Sequence, residues 1–322
     1  MKGKYKIVVR NSKVQFTLEI ERNITIISGQ SGTGKTTLIG LLQDYEQLGK
    51  QSGVSVQCAR PCVVVGGNQW QLLLEHTENS IVFIDEGNPF LRSKEFAEIV
   101  THSSNYFVLI TRESLPQLPY SVGSILKMEQ TGKLNKITYN QTYPLYDSIP
   151  ELDKQYIGQF TFLTEDSKAG FQTYSRIAGL KGTACVSAYG KSNIATSIAD
   201  RPEQKWLVIA DGAAFGSEIE KVYQMILEQP ETIRLYLPES FEWLVLKSGI
   251  VAHPDLANIL VAPYDYIASE EYASWERYFT HLLETITLDT PLQYDKNQLA
   301  SAYLLEENVQ KIMESMIGNN PR

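Results

Sequence analysis

Cysteine is scarce in this chain, and so are histidine and long apolar runs. Three cysteines among 322 residues do not make a disulfide scaffold, and a reducing cytoplasm is the expected compartment. Cys58 and Cys62 are close enough to suggest a metal pair. The four histidines are scattered, however, and the second ligand pair is missing, so no zinc site is expected there. No segment approaches the roughly 18 consecutive apolar residues of a membrane span. Residues 1–10 carry no apolar run of the signal-peptide kind, and no membrane partner is expected. Positive charge is in deficit too, with 29 Lys and Arg against 37 Asp and Glu and a net charge of −8. That balance argues against a broad nucleic-acid footprint and leaves open only a local basic groove. Internal repeats and low-complexity tracts are lacking as well.

What is present suits ordinary globular cores: 43% apolar and 20% charged residues, over a length that suggests two domains. Short strands fit 5–9 and 14–20, with a turn at Asn11-Ser12, and a β-branched strand fits 24–28. A helix is expected from Lys35 to about Leu48, stopped by Gly49, with Leu38, Leu41, Leu42, Tyr45 and Leu48 on one face. Strands follow at 62–65, 81–85, 106–110, 124–128 and 133–140, with helices at 69–76 and 92–102. Such alternation predicts a parallel sheet covered on both faces. The stretch 142–155 carries two prolines and mixed polar residues, and the expected domains are 1–145 and 155–322. Alternation resumes with strands at 159–164, 183–187, 206–210, 233–237 and 259–262, and helices at 168–178, 191–199, 216–228 and 239–248. Two amphipathic helices close the chain. One carries Tyr272, Trp275, Phe279, Leu282, Leu283 and Ile286, and the other Tyr303, Leu305, Val309, Ile312 and Met316. These stripes are expected to be core.

The first chemical signal is Gly29-Gln30-Ser31-Gly32-Thr33-Gly34-Lys35-Thr36-Thr37, which matches G-x-x-x-x-G-K-[ST] between an apolar strand and an amphipathic helix. Glycines let successive N–H groups turn inward onto phosphates, and the helix N-terminus adds partial positive charge at the same point. Lys35 is placed to reach the β- and γ-phosphates, and the Thr36 hydroxyl to ligate magnesium. The second signal is Ile81-Val82-Phe83-Ile84-Asp85-Glu86, an apolar strand ending in two acids. Asp85 would hold magnesium through water, and Glu86 would act as general base on the attacking water. A plain helix start before Asn88-Pro89 is the competing explanation of that acidic pair.

Together these motifs resemble the Walker A and Walker B elements of P-loop NTPases over about residues 4–130. A strand at 62–65 falls between them, similar to the class with an additional strand and a catalytic glutamate. That resemblance implies ATP and Mg2+ as cofactors. It also implies a polar sensor at Thr111, after Tyr106-Phe107-Val108-Leu109-Ile110, and the Thr111-Arg112 pair looks like the sensor of signal-transduction ATPases. A simple surface strand end fits Thr111 equally. No LSGGQ-like signature is present, which excludes a complete ABC-type ATPase. No N-K-x-D is present either, which favours ATP over GTP.

In the second half, Phe160-Thr161-Phe162-Leu163-Thr164 ends in Glu165-Asp166, and Trp206-Leu207-Val208-Ile209-Ala210 ends in Asp211. Strand C-termini of a parallel sheet share one edge, so Glu165, Asp166 and Asp211 are expected to converge as hard oxygen donors for magnesium or manganese. This order resembles a Toprim domain, as in overcoming-lysogenisation-defect nucleases, where an ATPase domain precedes it. The resemblance implies a general acid or base at Glu165 and a metal ligand at Asp211. The chain departs from the D-x-D pattern at Asp211-Gly212-Ala213, which lacks the second acid. Helix capping by Glu165 at Ser167 and by Asp211 at Phe215 is the alternative.

The expected fold is therefore α/β: a P-loop parallel-sheet domain, then a doubly wound, Toprim-like domain with C-terminal helices. The expected function is ATP binding and hydrolysis that controls an attached regulatory or partner-binding domain. The alternative is an ATP-gated, metal-dependent nuclease of mobile-element or defence type with a degenerate site. A small-molecule kinase would need an acceptor site and a lid with arginines, and neither is recognisable. A homo-oligomer in which a neighbour completes the site is the expected assembly.

Overall fold

The computed structural model describes residues 1–29 and 32–317. Gln30 and Ser31, both expected in the phosphate-binding loop, lie outside the described residues, as do 318–322. The chain divides into two compact units, Met1–Asp147 with Ala262–Ser274, and Ser148–Val261 with Trp275–Arg322. Residues 262–274, expected in the second domain, thus belong to the first. The Met1 amino group donates to Ser269 Oγ at 2.9 Å, Gly3 N to the Tyr264 carbonyl at 2.7 Å, and Asn23 Nδ2 to the Ala273 carbonyl at 2.7 Å.

In the first unit the elements run β1 (Tyr5–Arg10), β2 (Val14–Ile20), β3 (Ile24–Ser28), α1 (Lys35–Leu48), β4 (Ser55–Gln57), β5 (Cys62–Val64), α2 (Trp70–Glu75), β6 (Ile81–Ile84), α3 (Lys94–Thr101), β7 (Tyr106–Ile110), β8 (Ile125–Leu134) and β9 (Ile137–Pro144). Among the described residues they form a nine-stranded sheet in the order β4-β1-β2-β9-β8-β3-β7-β6-β5. The sheet is mixed rather than wholly parallel. β8-β3-β7-β6-β5 is parallel throughout, whereas β1 pairs antiparallel with β2 and β4, and β8 with β9. Turns explain two of these antiparallel pairs, β1–β2 and β8–β9. Asn11 Oδ1 accepts from Lys13 N and Val14 N at the β1–β2 turn. Asn135 and Lys136, both at positive φ, close the β8–β9 hairpin. The strand expected at 62–65 is the sheet edge, and β7 is the strand that lies between β3 and β6. β4 is too short and polar to be legible in sequence.

Strands β3, β6 and β7 are buried almost throughout, as parallel strands covered on both faces must be. Period-two alternation sorts their side chains. Ile27, Ile81, Phe83, Val108 and Ile110 join Leu38, Leu41 and Leu42 of α1 in one core. On the opposite face Phe107 meets Phe96 of α3 edge-on, with ring centroids 6.1 Å apart. Helix α1 stops where expected, with Gly49 at φ 56° donating to the Tyr45 carbonyl, although Leu48 is exposed.

In the second unit the order is β10 (Thr161–Thr164), α4 (Ala169–Leu180), β11 (Cys185–Ser187), α5 (Ile194–Ala199), β12 (Trp206–Ile209), α6 (Ile219–Glu228), β13 (Ile233–Tyr236), α7 (Phe241–Lys247), α8 (Leu256–Val261), α9 (Trp275–Thr287) and α10 (Glu306–Met316). The sheet β11-β10-β12-β13 is parallel throughout. The strand expected at 259–262 is instead the end of α8. Leu256 and Ile259, three apart, are the buried pair, and so short an apolar run fits either period. The C-terminal stripes are core in large part: Trp275, Phe279 and Leu283 in α9, Tyr303 before α10, and Val309, Ile312, Met313 and Met316 in α10 are buried, whereas Tyr272, Leu282 and Ile286 are half-buried and Leu305 is exposed.

Phe96 is fully buried and touches three aromatic rings, those of Trp70, Phe90 and Phe107. Phe96→Ala should cost about 3–5 kcal/mol of stability, read as a lower urea midpoint. An unchanged midpoint would mean that α3 does not seal this face.

Candidate functional site

Strand β3 delivers the chain to Gly29, and β6 delivers it to Asp85, at the same edge of the parallel core. The loop between β3 and α1 uses glycine where the backbone demands it. Gly29, Gly32 and Gly34 have φ of 124°, 86° and 91°. Gly34 is also sterically confined, since a Cβ there would stand 2.9 Å from Phe16 Cε1. The first backbone bond of α1 runs from Leu38 N to the Gly34 carbonyl at 2.9 Å. The N–H groups of Thr36 and Thr37 therefore have no acceptor within the helix. No acid sits in that first turn to offset the positive end of the helix dipole.

Gly32, Thr33, Gly34, Lys35, Thr36, Thr37, Asp85 and Glu86 line one cleft of about 270 Å³, together with Ile110 and Arg112. The expected loop residues from Gly32 to Thr37, the expected magnesium ligands Thr36 and Asp85, and the expected base Glu86 are thus brought together, whereas Gly29 is outside the lining. Lys35 is buried, and its Nζ donates to the Gly29 carbonyl at 2.7 Å and to Thr33 Oγ1 at 3.1 Å. Burial and the Arg112 guanidinium lower the Lys35 pKa, while Glu86 and Asp85 raise it. Asp85 Oδ1 accepts from Glu86 N at 2.8 Å, and Arg112 Nε stands 3.5 Å from Glu86 Oε2.

Thr111 is placed differently. Its hydroxyl donates to the Glu113 carbonyl at 3.3 Å and accepts from Glu113 N at 3.0 Å, closing a local turn. It lines an adjoining cleft of about 450 Å³ that shares Glu86 and Arg112 with the first. Arg112, which follows Thr111, is the residue that faces the loop. In the sequence Arg112 stands out only as the second member of the Thr111-Arg112 pair.

In the second unit Glu165 follows β10 and Asp211 follows β12, adjacent parallel strands. Glu165 Oε2 accepts from Asp211 N at 3.3 Å, and both residues line a cavity of about 30 Å³ with Asp166, Lys168, Tyr174, Glu242, Tyr294 and Lys296. Neither acid makes the expected helix cap at Ser167 or Phe215. Asp211 Oδ1 instead accepts from Phe241 N at 3.1 Å, at the start of α7. Burial, then the Glu276 carboxylate, pushes Glu165 up to about 7, and the same two causes raise Asp211 well above the usual carboxylate range. Lys296 Nζ pairs with Glu276 Oε1 at 2.7 Å. Glu242, Glu276 and Lys296 were not singled out in the sequence. For Glu242 the strand-end rule was the missed signal, because it follows β13 closely.

Cys58 and Cys62 are free and half-buried, and among the described residues no group of three or more His, Cys, Asp or Glu side chains could hold a metal ion, the expected convergence of Glu165, Asp166 and Asp211 included. Among the described residues no helix is long and apolar enough to cross a membrane. No protein-family model matches the chain, and neither a curated protein nor a solved structure matches it.

The raised pKa of Glu165 has a stability consequence. The folded chain binds this proton more tightly than the unfolded chain. The stabilisation is complete below about pH 4.5, the ordinary value, and is lost as pH rises through about 7. In EDTA the melting temperature of the second unit should fall across this window, and Glu165→Gln should remove part of the fall. An identical slope in the variant would show that burial does not hold the proton there.

Proposed function

We propose that the first unit binds ATP with magnesium and hydrolyses it, and that its nucleotide state governs the attached α/β unit. The observation that carries this reading is the single cleft lined by Lys35, Thr36, Asp85 and Glu86 at the start of α1. The strand order supports it as well, because β7 lies between the strand before the loop and the strand before Asp85. The resemblance to additional-strand P-loop NTPases expects such a separation.

The chemistry follows from the groups present. Inward N–H groups and the α1 N-terminus would hold the phosphate chain. Lys35 would exchange its contacts with the Gly29 carbonyl and Thr33 for phosphate oxygens, a gain in charge-assisted bonding. Hydroxyl and carboxylate oxygens suit magnesium, and Thr36 and Asp85 would hold it, where it neutralises phosphate charge. Glu86 would take a proton from the attacking water. Its ion pair with Arg112 keeps a cation beside the same position. The absence of N-K-x-D favours adenine over guanine nucleotides.

Lys35→Ala should abolish ATP binding in calorimetry, and undiminished turnover in that variant would remove the P-loop reading. Glu86→Gln should keep binding but slow hydrolysis by about 10²–10⁴-fold. Unchanged turnover would assign the base elsewhere.

A second reading is favoured by one observation, the shared cavity of Glu165 and Asp211. It makes the chain an ATP-gated nuclease of mobile-element or defence type, with metal-supported phosphodiester chemistry in the second unit. Glu165→Ala and Asp211→Ala should then stop manganese-dependent DNA cleavage by the full chain. A wild-type chain that cleaves no DNA with any divalent metal would end this reading.

A further inference from the structure

Cys58 and Cys62 do not line the phosphate cleft, and among the described residues they have no further donor with which to hold a metal. They flank a single turn. Cys58 follows β4 and Cys62 begins β5, and these strands are the two opposite edges of the nine-stranded sheet. At about 4.8 Å between strands, such a sheet laid flat would be roughly 38 Å across. The chain from Gln57 to Cys62 reaches at most about 18 Å. The sheet must therefore twist and curl until its edges approach, and residues 58–61 span the opening. Both thiols pack against the core that holds Leu38, Leu41 and Leu42 of α1. Cys62 Sγ donates to the Arg60 carbonyl at 3.9 Å, which turns it back beneath the same turn, and the two thiols are hydrogen-bonded to each other. Ala59, Arg60 and Pro61 between them are exposed, and each cysteine is itself only half-buried.

The turn suits a thiolate at Cys58. The hydrogen bond from Cys62, those from the Arg60 and Ala59 N–H groups, and the Arg60 guanidinium hold the Cys58 thiol below its ordinary range, against the opposing effect of burial. Arg60 is fixed there, because its Nε donates to Tyr5 OH at 3.2 Å. The bond between the thiols, and burial, raise Cys62. Cys185, in the second unit, is pushed up to about 11 by burial. One sulfur of the pair is thus prepared to attack, and its neighbour, still protonated, to resolve.

We propose that Cys58 and Cys62 form a reversible redox-modification site that reacts with a small hydroperoxide and closes to a disulfide. The Cys58 thiolate attacks a peroxide oxygen and the O–O bond breaks. The departing hydroxide or alkoxide picks up the proton that Cys58 had released and leaves as water or alcohol. Cys58 is then a sulfenic acid. The Cys62 sulfur attacks the Cys58 sulfur, the S–O bond breaks, and hydroxide leaves with the Cys62 proton as water. The peroxide gains the two electrons that the thiols lose, and a dithiol reductant returns them by exchange. The disulfide fastens the β4 edge to the β5 edge across the opening of the sheet.

The reduced, folded full chain is treated with hydrogen peroxide, quenched, unfolded and alkylated, and its thiols are located by peptide mass spectrometry. The expected result is a fall from three alkylated cysteines to one, Cys185, with the segment carrying Cys58 and Cys62 lighter by two hydrogens. Dithiothreitol should restore all three. In Cys62→Ser, dimedone should label Cys58 as a trapped sulfenic acid, and Cys58→Ser should take up no label. Three thiols that survive excess peroxide overturn the proposal, as does loss of Cys185 at the rate of the pair or a disulfide formed only between chains. A dimedone label on Cys62 in Cys58→Ser overturns the assignment of Cys58 as the attacking sulfur. The wild-type result decides the disulfide by itself, so a serine variant that fails to fold leaves the test intact.

Discussion

The parallel ladder of β3, β7 and β6 governs where every group of the first unit's cleft sits. Ile24 to Ile27 pair with Phe107 to Ile110, and Ile81 to Ile84 with Tyr106 to Leu109. Because the strands run the same way, the loop from Gly29, the acids from Asp85 and Arg112 all emerge at one edge. Because the strands are apolar on both faces, α1 must cover one side and α3 the other. Slipping one strand by a residue would exchange the side chains that face α1 with those that face α3 and carry Asp85 away from Lys35. Burial of these strands is therefore also what fixes the distance between cation and carboxylate.

The second unit applies the same rule with opposite electrostatics. Its strand ends deliver Glu165 and Asp211 to adjacent positions, and the loop after β13 adds Glu242. The first cleft sets Lys35 and Arg112 among its acids, Asp85 and Glu86. The second gathers Glu165, Asp211 and Glu242 around one cavity, with Lys296 engaged by Glu276.

The hairpins of β1–β2 and β8–β9 show what turn chemistry adds to periodicity. Asn11 and the Asn135-Lys136 pair reverse the chain tightly, so the strands they join pair antiparallel. Residues 262–274 show the converse. Nothing in their composition marks them as part of the first unit, because their attachment runs through hydrogen bonds to Met1, Gly3 and Asn23 across some 250 positions of chain.

Local signals determined much of this protein. The glycines and Lys35 of the loop, the helix from Lys35 to Leu48 with its stop at Gly49, the acid-terminated strands at Asp85, Glu165 and Asp211, and the apolar stripes of α9 and α10 are legible because each depends on residues a few positions apart. Tertiary structure decided the rest. It placed β7 between β3 and β6, turned Thr111 into a local loop bond while Arg112 faced the cleft, and resolved the ambiguous run at 259–262 as helix. It also buried Glu242 beside Asp211. Each of these outcomes depends on which strand edges and faces meet across the sheet, and a period read along the chain carries no information about that pairing.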